Sequence, residues 1–265
     1  MASSTGIRTP WQVTRSVWFA LFMREAVSRT MADRFGWFWM LFEPIAFTLI
    51  MVAIRTFIRG DRFIVGADFV PWLIVGLLGF FLVRSGMMEA MGAIQANKAL
   101  LAYRQVTPVD PVLVRNAVDT LLRTVVLGVF VAGGLLIDID LFPDQFYLAA
   151  FGWLGLWLLG LGAGLITSVA GTLIPEVARI IRMLNLPLLI ISGVIFPLQV
   201  MPRSLLEWLL YNPIPHGLEY LRLGFFESYQ MVDGISLLYF WLFVLGFLAL
   251  GLVLHIRYAA ELQAR

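Results

Sequence analysis

Six stretches of this chain are apolar over about the length a bilayer demands: residues 35–58, 69–92, 113–137, 146–172, 183–200 and 235–256. A spanning helix needs about 20 mostly apolar residues, so the pattern predicts an all-α integral membrane protein with six transmembrane helices in residues 35–265. The polar runs between them are too short for a second domain. Within the preceding segment 1–34, "WQVTRSVWFALFMREAVSRT" is too short in its apolar part to cross and too apolar to lie free in water. Trp11, Trp18 and Phe22 share one face at helical spacing, with Arg15 intruding, which predicts an interfacial helix.

The fifth stretch breaks the pattern. "LNLPLLIISGVIFPLQVMPRSLLEWLLYNPIPH", residues 184–216, is interrupted by Pro197, Pro202, Pro213 and Pro215, yet Leu205, Leu206, Trp208, Leu209 and Leu210 keep it greasy between them. Irregular backbone at membrane depth survives only where protein or a water-filled cavity covers it.

Two connections offer surface helices. After the second stretch, "MEAMGAIQANKALLAYRQVTPVDP" is helix-permissive up to Asn97, Lys98, Tyr103 and Arg104; "VTPVDP" then breaks it, with Asp110 and Pro111 suited to the N-cap and first position of the third span. In "GTLIPEVARIIR", Pro175 and Glu176 suit a second, shorter helix start. Either could dock a cytoplasmic partner or serve as a solvated linker.

Composition agrees with the hydropathy pattern: 60% of residues are hydrophobic and 14% charged. A net charge of +2 argues against nucleic acid as a partner, and the absence of cysteine removes disulfides, thiolate metal sites and cysteine nucleophiles. The first apolar stretch follows five arginines with no small-residue cleavage site after it, so it is expected to stay as an anchor. Loops rich in Lys and Arg remain inside. Lys98, Arg104 and Arg115, then Arg179 and Arg182, then Arg257 and Arg265 alternate as six spans with both termini cytoplasmic require, and "DIDLFPDQ" at 138–145 reads as outside. The first connection disagrees, since Arg55, Arg59 and Arg62 fall outside. Either the topology is weaker there or those arginines have a task, with snorkelling to lipid phosphates the plainer account.

Chemistry inside the spans is sparse. Glu43, next to Pro44 in the first span, is an intramembrane carboxylate that needs an arginine partner such as Arg84 or Arg123, or a polar cavity. Arg115, Asp119 and Arg123 share a face of the third span, where internal pairing and a substrate path are both open. His216 and His255 have no companion ligands and are expected to face lipid. Gly160, Gly164 and Ser168 form a small-residue ladder suited to packing within one chain. No phosphate-binding loop is present, so if ATP drives the protein, another subunit binds it.

Three segments, "REAVSRTMADRFGWFWMLFEP", "GAIQANKALLAYRQVTPVDPVLVRNAVDTLL" and "IPEVARIIRMLNLPLLIISGVIFPLQVMPRSLLEWLLYNPIPHGLEYLR", resemble the membrane subunit of ABC-2 type exporters, in particular the capsular polysaccharide export permeases. The resemblance touches nearly the whole chain. It implies an inner-membrane permease with short re-entrant helices between spans five and six, a second copy of the chain, and a cytoplasmic ATPase dimer that supplies ATP and Mg. It further implies a lipid-linked, often acidic polysaccharide as cargo, with periplasmic and outer-membrane proteins continuing the path. The ATPase would engage the surface helices around Asn97, Lys98, Tyr103, Arg104, Pro175 and Glu176. Glu43, Arg55, Arg59, Arg62, Arg84, Arg115, Asp119 and Arg123 are the candidates for the path itself.

O-antigen and teichoic acid permeases share part of the same motif set, so the polymer stays open between these classes. An ion-coupled secondary transporter would show paired halves, and none is evident. A membrane glycosyltransferase would need convergent acids, which Glu43 and Glu89 do not supply. The topology is checked with single cysteines in the cysteine-free parent. A cysteine at position 140 is expected to react with an impermeant maleimide from outside, and reaction only after the inner membrane is permeabilised would refute the six-span arrangement.

Overall fold

The computed structural model describes residues 9–29, 36–58, 63–64 and 66–264. Helix α1 (Pro10–Val27) opens on a capping box in which Thr9 and Gln12 satisfy each other's backbone N–H groups. Then follow α2 (Gly36–Ile58), a two-residue antiparallel ladder of β1 (Phe63–Ile64) with β2 (Ala67–Asp68), α3 (Phe69–Ala96), α4 (Val109–Leu136) and α5 (Phe146–Leu173). The shorter α6 (Pro175–Met183), α7 (Asn185–Ile191), α8 (Arg203–Leu209) and α9 (Pro213–Phe225) precede α10 (Leu237–Arg257) and α11 (Ala259–Ala264).

Among the described residues, α3, α4, α5 and α10 are long and apolar enough to cross a membrane, and α2 carries a shorter apolar section, Leu41–Ile54. Their bounds lie close to those the hydropathy pattern predicts. Helix α3 is the axis of the bundle, buried almost continuously from Phe69 to Val83 and packed chiefly on α5. Helices α4 and α10 turn most of their apolar surface outward, as lipid-facing helices do.

Glycines set how closely the axis is approached. A Cβ on Gly160 would sit 2.9 Å from Val83 Cα, and one on Gly164 2.5 Å from the Gly86 carbonyl oxygen, so α5 meets the α3 backbone directly. Ser168, the next rung, instead bonds His255 Nε2 of α10 at 2.9 Å. The ladder therefore packs helices of one chain.

Four expectations need correction. The fifth apolar stretch is not one spanning helix: α7 stops at Ile191, Gly193 takes a left-handed φ of 65°, and a 3-10 turn at Leu198–Val200 follows Pro197. The segment after the second span is not a separate surface helix either, because α3 runs on to Ala96 and only the 3-10 turn Lys98–Ala102 stands apart. Helix α4 starts at Val109, so Asp110 lies in its first turn and reaches back to accept from Thr107 N and Oγ1 at 2.7 and 2.8 Å. Both histidines are buried instead of facing lipid. His216 accepts from Ser236 N–H at 3.0 Å through Nδ1 and meets the Leu210 carbonyl at 2.9 Å through Nε2, which ties α9 to the start of α10.

Since no side chain fits at the α3–α5 contact, Gly164→Leu is expected to cost at least the roughly 1–3 kcal/mol of overpacking. It should lower the thermal stability of the solubilised protein. Gly128 on α4 has open space around it, so Gly128→Ala should be neutral or mildly stabilising in the same melting assay.

Candidate functional site

One end of the bundle gathers Lys98, Arg104, Arg179, Arg182 and Arg257, and the opposite end Asp68, Asp138, Asp140, Asp144 and Glu227. Three arrangements of charge organise the molecule between these ends.

The first lies just inside the basic end, where α1 crosses α4. Arg29 reaches Glu25 at 2.9 Å, Glu89 of α3 at 2.6 Å and Asp119 of α4 at 3.2 Å. Arg115 bonds Glu89 at 2.8 Å and approaches Glu25 at 3.4 Å, while Arg123 bonds Asp119 at 3.0 Å and Ser85 at 2.6 Å. Three acids and three arginines thus neutralise one another across three helices. Burial opposes the charge on Arg29, but Glu89, Glu25 and Asp119 outweigh it and hold its pKa above the usual arginine value. Further along α1, Trp18 Nε1 donates to Asp110 at 2.7 Å, Arg24 donates to Asn97, and Leu21 packs on Val114 and Val118. Trp18 and Phe22 of the predicted interfacial face therefore turn toward α4, whereas Trp11 stays exposed and meets Trp18 edge-on at 6.4 Å.

These contacts reassign part of the predicted site. Asp119 pairs with Arg123 along its own helix, as the spacing allows, but Arg115 pairs across to α1 and α3. Asn97 is buried, donating to the Ala93 carbonyl at 2.7 Å, so it closes the end of α3. Lys98, Tyr103, Arg104, Pro175 and Glu176 are exposed at the basic end.

The second arrangement is a single pair. Arg84 Nη1 meets Glu43 Oε1 at 2.6 Å, joining α3 to α2, and both side chains keep about a third or more of their surface exposed, 34% and 44%. Around Glu43, Trp39, Phe42, Ala46, Phe47 and Ile50 line a groove of about 460 Å³. Arg55 continues the same helix toward the acidic end, and Arg59 and Arg62 lie outside the described residues.

The third is buried under the acidic end. Glu219 and Arg222, one turn apart on α9, pair at 3.1 Å with 0% and 1% of their side chains exposed. The Arg222 guanidinium stacks 3.6 Å from the Trp72 ring centroid, and its Nη1 and Nη2 donate to the carbonyls of Gly193 and Val194 at 3.0 and 3.3 Å. Tyr229 donates to Glu219 at 2.8 Å and accepts from Gln199 at 3.1 Å and Trp72 at 3.3 Å. Burial pushes the Tyr229 hydroxyl up to about 12, so it remains a donor at any physiological pH. Gly76 makes room for Arg222, because a Cβ there would run into Nη2.

The sequence reading missed Glu25, Arg29, Glu219, Arg222 and Tyr229 as partners. Only Glu219 and Arg222 carried a legible signal, two charges at i and i+3 in a greasy helix. Among the described residues no group of acids and histidines could hold a metal ion.

Residues 16–226 match the family described as ABC-2 type transporter. The chain is 34% identical, over 94% of its length and 95% of the relative's, to the polysialic acid transport protein KpsM of Escherichia coli. It is 30% identical to the capsule polysaccharide export inner-membrane protein CtrC of Neisseria meningitidis serogroup B, over 82% of this chain and 81% of that one. The corresponding protein BexB of Haemophilus influenzae is also 30% identical, with 89% and 88% covered. A match over most of the chain, with the resemblance that the three quoted segments already carried, establishes that this chain belongs to the ABC-2 type transporter family.

Proposed function

We propose that this chain is the membrane-spanning subunit of an ATP-driven exporter that moves a lipid-linked capsular polysaccharide across the bacterial inner membrane. The names of its relatives point to capsule export over an O-antigen or teichoic acid polymer. The active unit is two copies of the chain with a cytoplasmic ATPase dimer, which binds the ATP and Mg. Periplasmic and outer-membrane proteins take the polymer onward. Both termini are cytoplasmic, so the basic end faces the ATPase. The composite of α6, α7, α8 and α9 serves as the fifth crossing, with α8 and α9 as its re-entrant part.

The observation that carries the reading is the half-exposed Glu43–Arg84 pair. Ionised groups at membrane depth are costly unless they face a bundle interior or a water-filled cavity, yet this pair lies on the side of the molecule where α2 leaves Trp39, Phe42, Ile45 and Leu49 uncovered. A second copy facing that side would enclose the pair in a common passage. Polar groups flanked by aromatic rings suit sugar chains, whose hydroxyls need partners and whose C–H faces stack on rings. An ion-coupled transporter has less support, since Arg29, Glu89, Asp119, Arg123, Glu219 and Arg222 are already paired with one another inside one chain.

Two measurements test this. If the pair lines the passage, Glu43→Gln or Arg84→Gln should slow export by about tenfold, the effect of roughly 1.4 kcal/mol on a rate. The double exchange Glu43→Arg with Arg84→Glu should restore protein level and leave export impaired; parental export by the exchanged protein would reduce the pair to a structural bond. For the basic end, Lys98→Glu or Arg104→Glu should abolish export and ATPase stimulation while membrane insertion and self-association persist. Export at the parental rate with the ATPase still bound would move the coupling surface elsewhere.

A further inference from the structure

The seven residues of α7 cover about 10 Å of rise, a third of the hydrocarbon thickness. The carbonyls just past its end, Gly193 and Val194, bond the Arg222 guanidinium, which packs on Gly76, seven residues into α3 and therefore about 10 Å inward from the start of that helix. A helix that stops at such depth leaves carbonyls without intrahelical partners, and in lipid no water is at hand to satisfy them. The donors are specific. Ser192 Oγ returns to the Leu188 carbonyl at 2.5 Å, and among the described residues Asn212, the N-cap of α9, and Arg222 of α9 donate side-chain hydrogen bonds to this segment. Asn212 Nδ2 reaches Ser192 Oγ at 3.1 Å and the Ile191 carbonyl at 3.5 Å, while Arg222 takes the carbonyls of Gly193 and Val194. Arg222 is itself fixed by Glu219, the Trp72 face and the space at Gly76.

Separating α7 from α9 would therefore strip several backbone acceptors and unstack a buried guanidinium at once. We propose that Arg222 is a positioning residue that joins the end of α7 to α9, so that the two move as one body during transport. That the two move together during transport rests on the exporter reading; the tie between them does not.

The test replaces the Ser192–Asn212 bond by a reversible covalent one. The parent has no cysteine, so Ser192→Cys with Asn212→Cys gives one pair, closed by a membrane-permeant oxidant or a one-carbon thiol-reactive bridge. The bridge should form at the same rate with the partner ATPase nucleotide-free or trapped with ATP. The bridged protein should export as fast as its reduced form. A rate that depends on nucleotide, absence of the bridge in every state, or export that stops on bridging and returns with reductant would overturn the single-body proposal.

The role of Arg222 is read on the same pair in the purified chain without ATPase or cargo. Arg222→Gln should slow bridging by about tenfold through the loss of its carbonyl bonds. Gly76→Ala, which displaces the guanidinium and keeps its charge, should do the same if the glutamine variant fails to fold. Unchanged bridging in a folded variant would remove Arg222 from the role. Since this readout needs no transport, its failure is separable from that of the exporter reading, which would show as absent ATPase-dependent export by the parent chain.

Discussion

A backbone carbonyl enclosed among apolar helices must find a donor within the protein, and just past the end of α7 Arg222 is the charged donor that supplies it. Its two terminal nitrogens hold Gly193 and Val194, its plane lies on Trp72, and its charge is balanced by Glu219. Taking one partner from a buried ion pair costs roughly 3–5 kcal/mol, because the other is left charged and unpaired. A guanidinium over an indole adds up to about 2 kcal/mol when desolvated. These magnitudes rival the total stability of many domains, so α3, α7 and α9 cannot be repacked independently. The glycine at position 76 is part of the same constraint, since any side chain there would occupy the space of the guanidinium.

The basic end is held by different means. Six charged groups from α1, α3 and α4 share contacts of 2.6–3.4 Å, and most keep a margin of exposure. Partly solvated pairs are individually weak, but Arg29 and Glu89 each touch more than one partner, so exchange of one contact leaves the others in place. Such a network suits a surface helix that must stay attached while neighbouring elements shift. Asn97 and Asp110 extend the attachment along α1 through Arg24 and Trp18. If the ATPase engages the basic end as proposed, α1, α3 and α4 would respond to it together through this network.

The long helices were legible because hydropathy over about 20 residues is a local signal, and α4 and α10, whose apolar surface turns outward, obey it without interference. Pro175 and Glu176 marked the start of α6 for a similar reason: the proline occupies a position where a missing N–H costs nothing. The fifth stretch misled because hydropathy cannot register a donor 28 or 29 residues later in the chain. Residues 192–200 are apolar enough to continue a span, and only Gly193 and Pro197 hint that the helix stops. The histidines misled in the same way, since their partners Ser168, Leu210 and Ser236 are unremarkable in sequence. Glu43 was legible as a group in need of an arginine, but the choice of Arg84 over Arg123 was made by tertiary packing, with Arg123 taken up by Asp119 and Ser85.

Two of the glutamate–arginine pairs, Glu43–Arg84 and Glu219–Arg222, use the same chemistry to opposite ends, and exposure separates them. In the buried pair Arg222 also binds backbone and an aromatic face, so any ligand would have to displace bonds that hold the fold together. In the exposed pair a single bond of 2.6 Å joins the two side chains, with room beside it for another polar group. A passage for a long polymer needs sites that bind weakly and release readily, because tight binding at one sugar would stall all that follow. The half-solvated pair meets that requirement by its geometry: a sugar hydroxyl can bond to Glu43 or Arg84 without leaving a buried charge behind. The buried pair cannot, so in the proposed exporter it belongs to the frame, and the exposed pair is the candidate for the path.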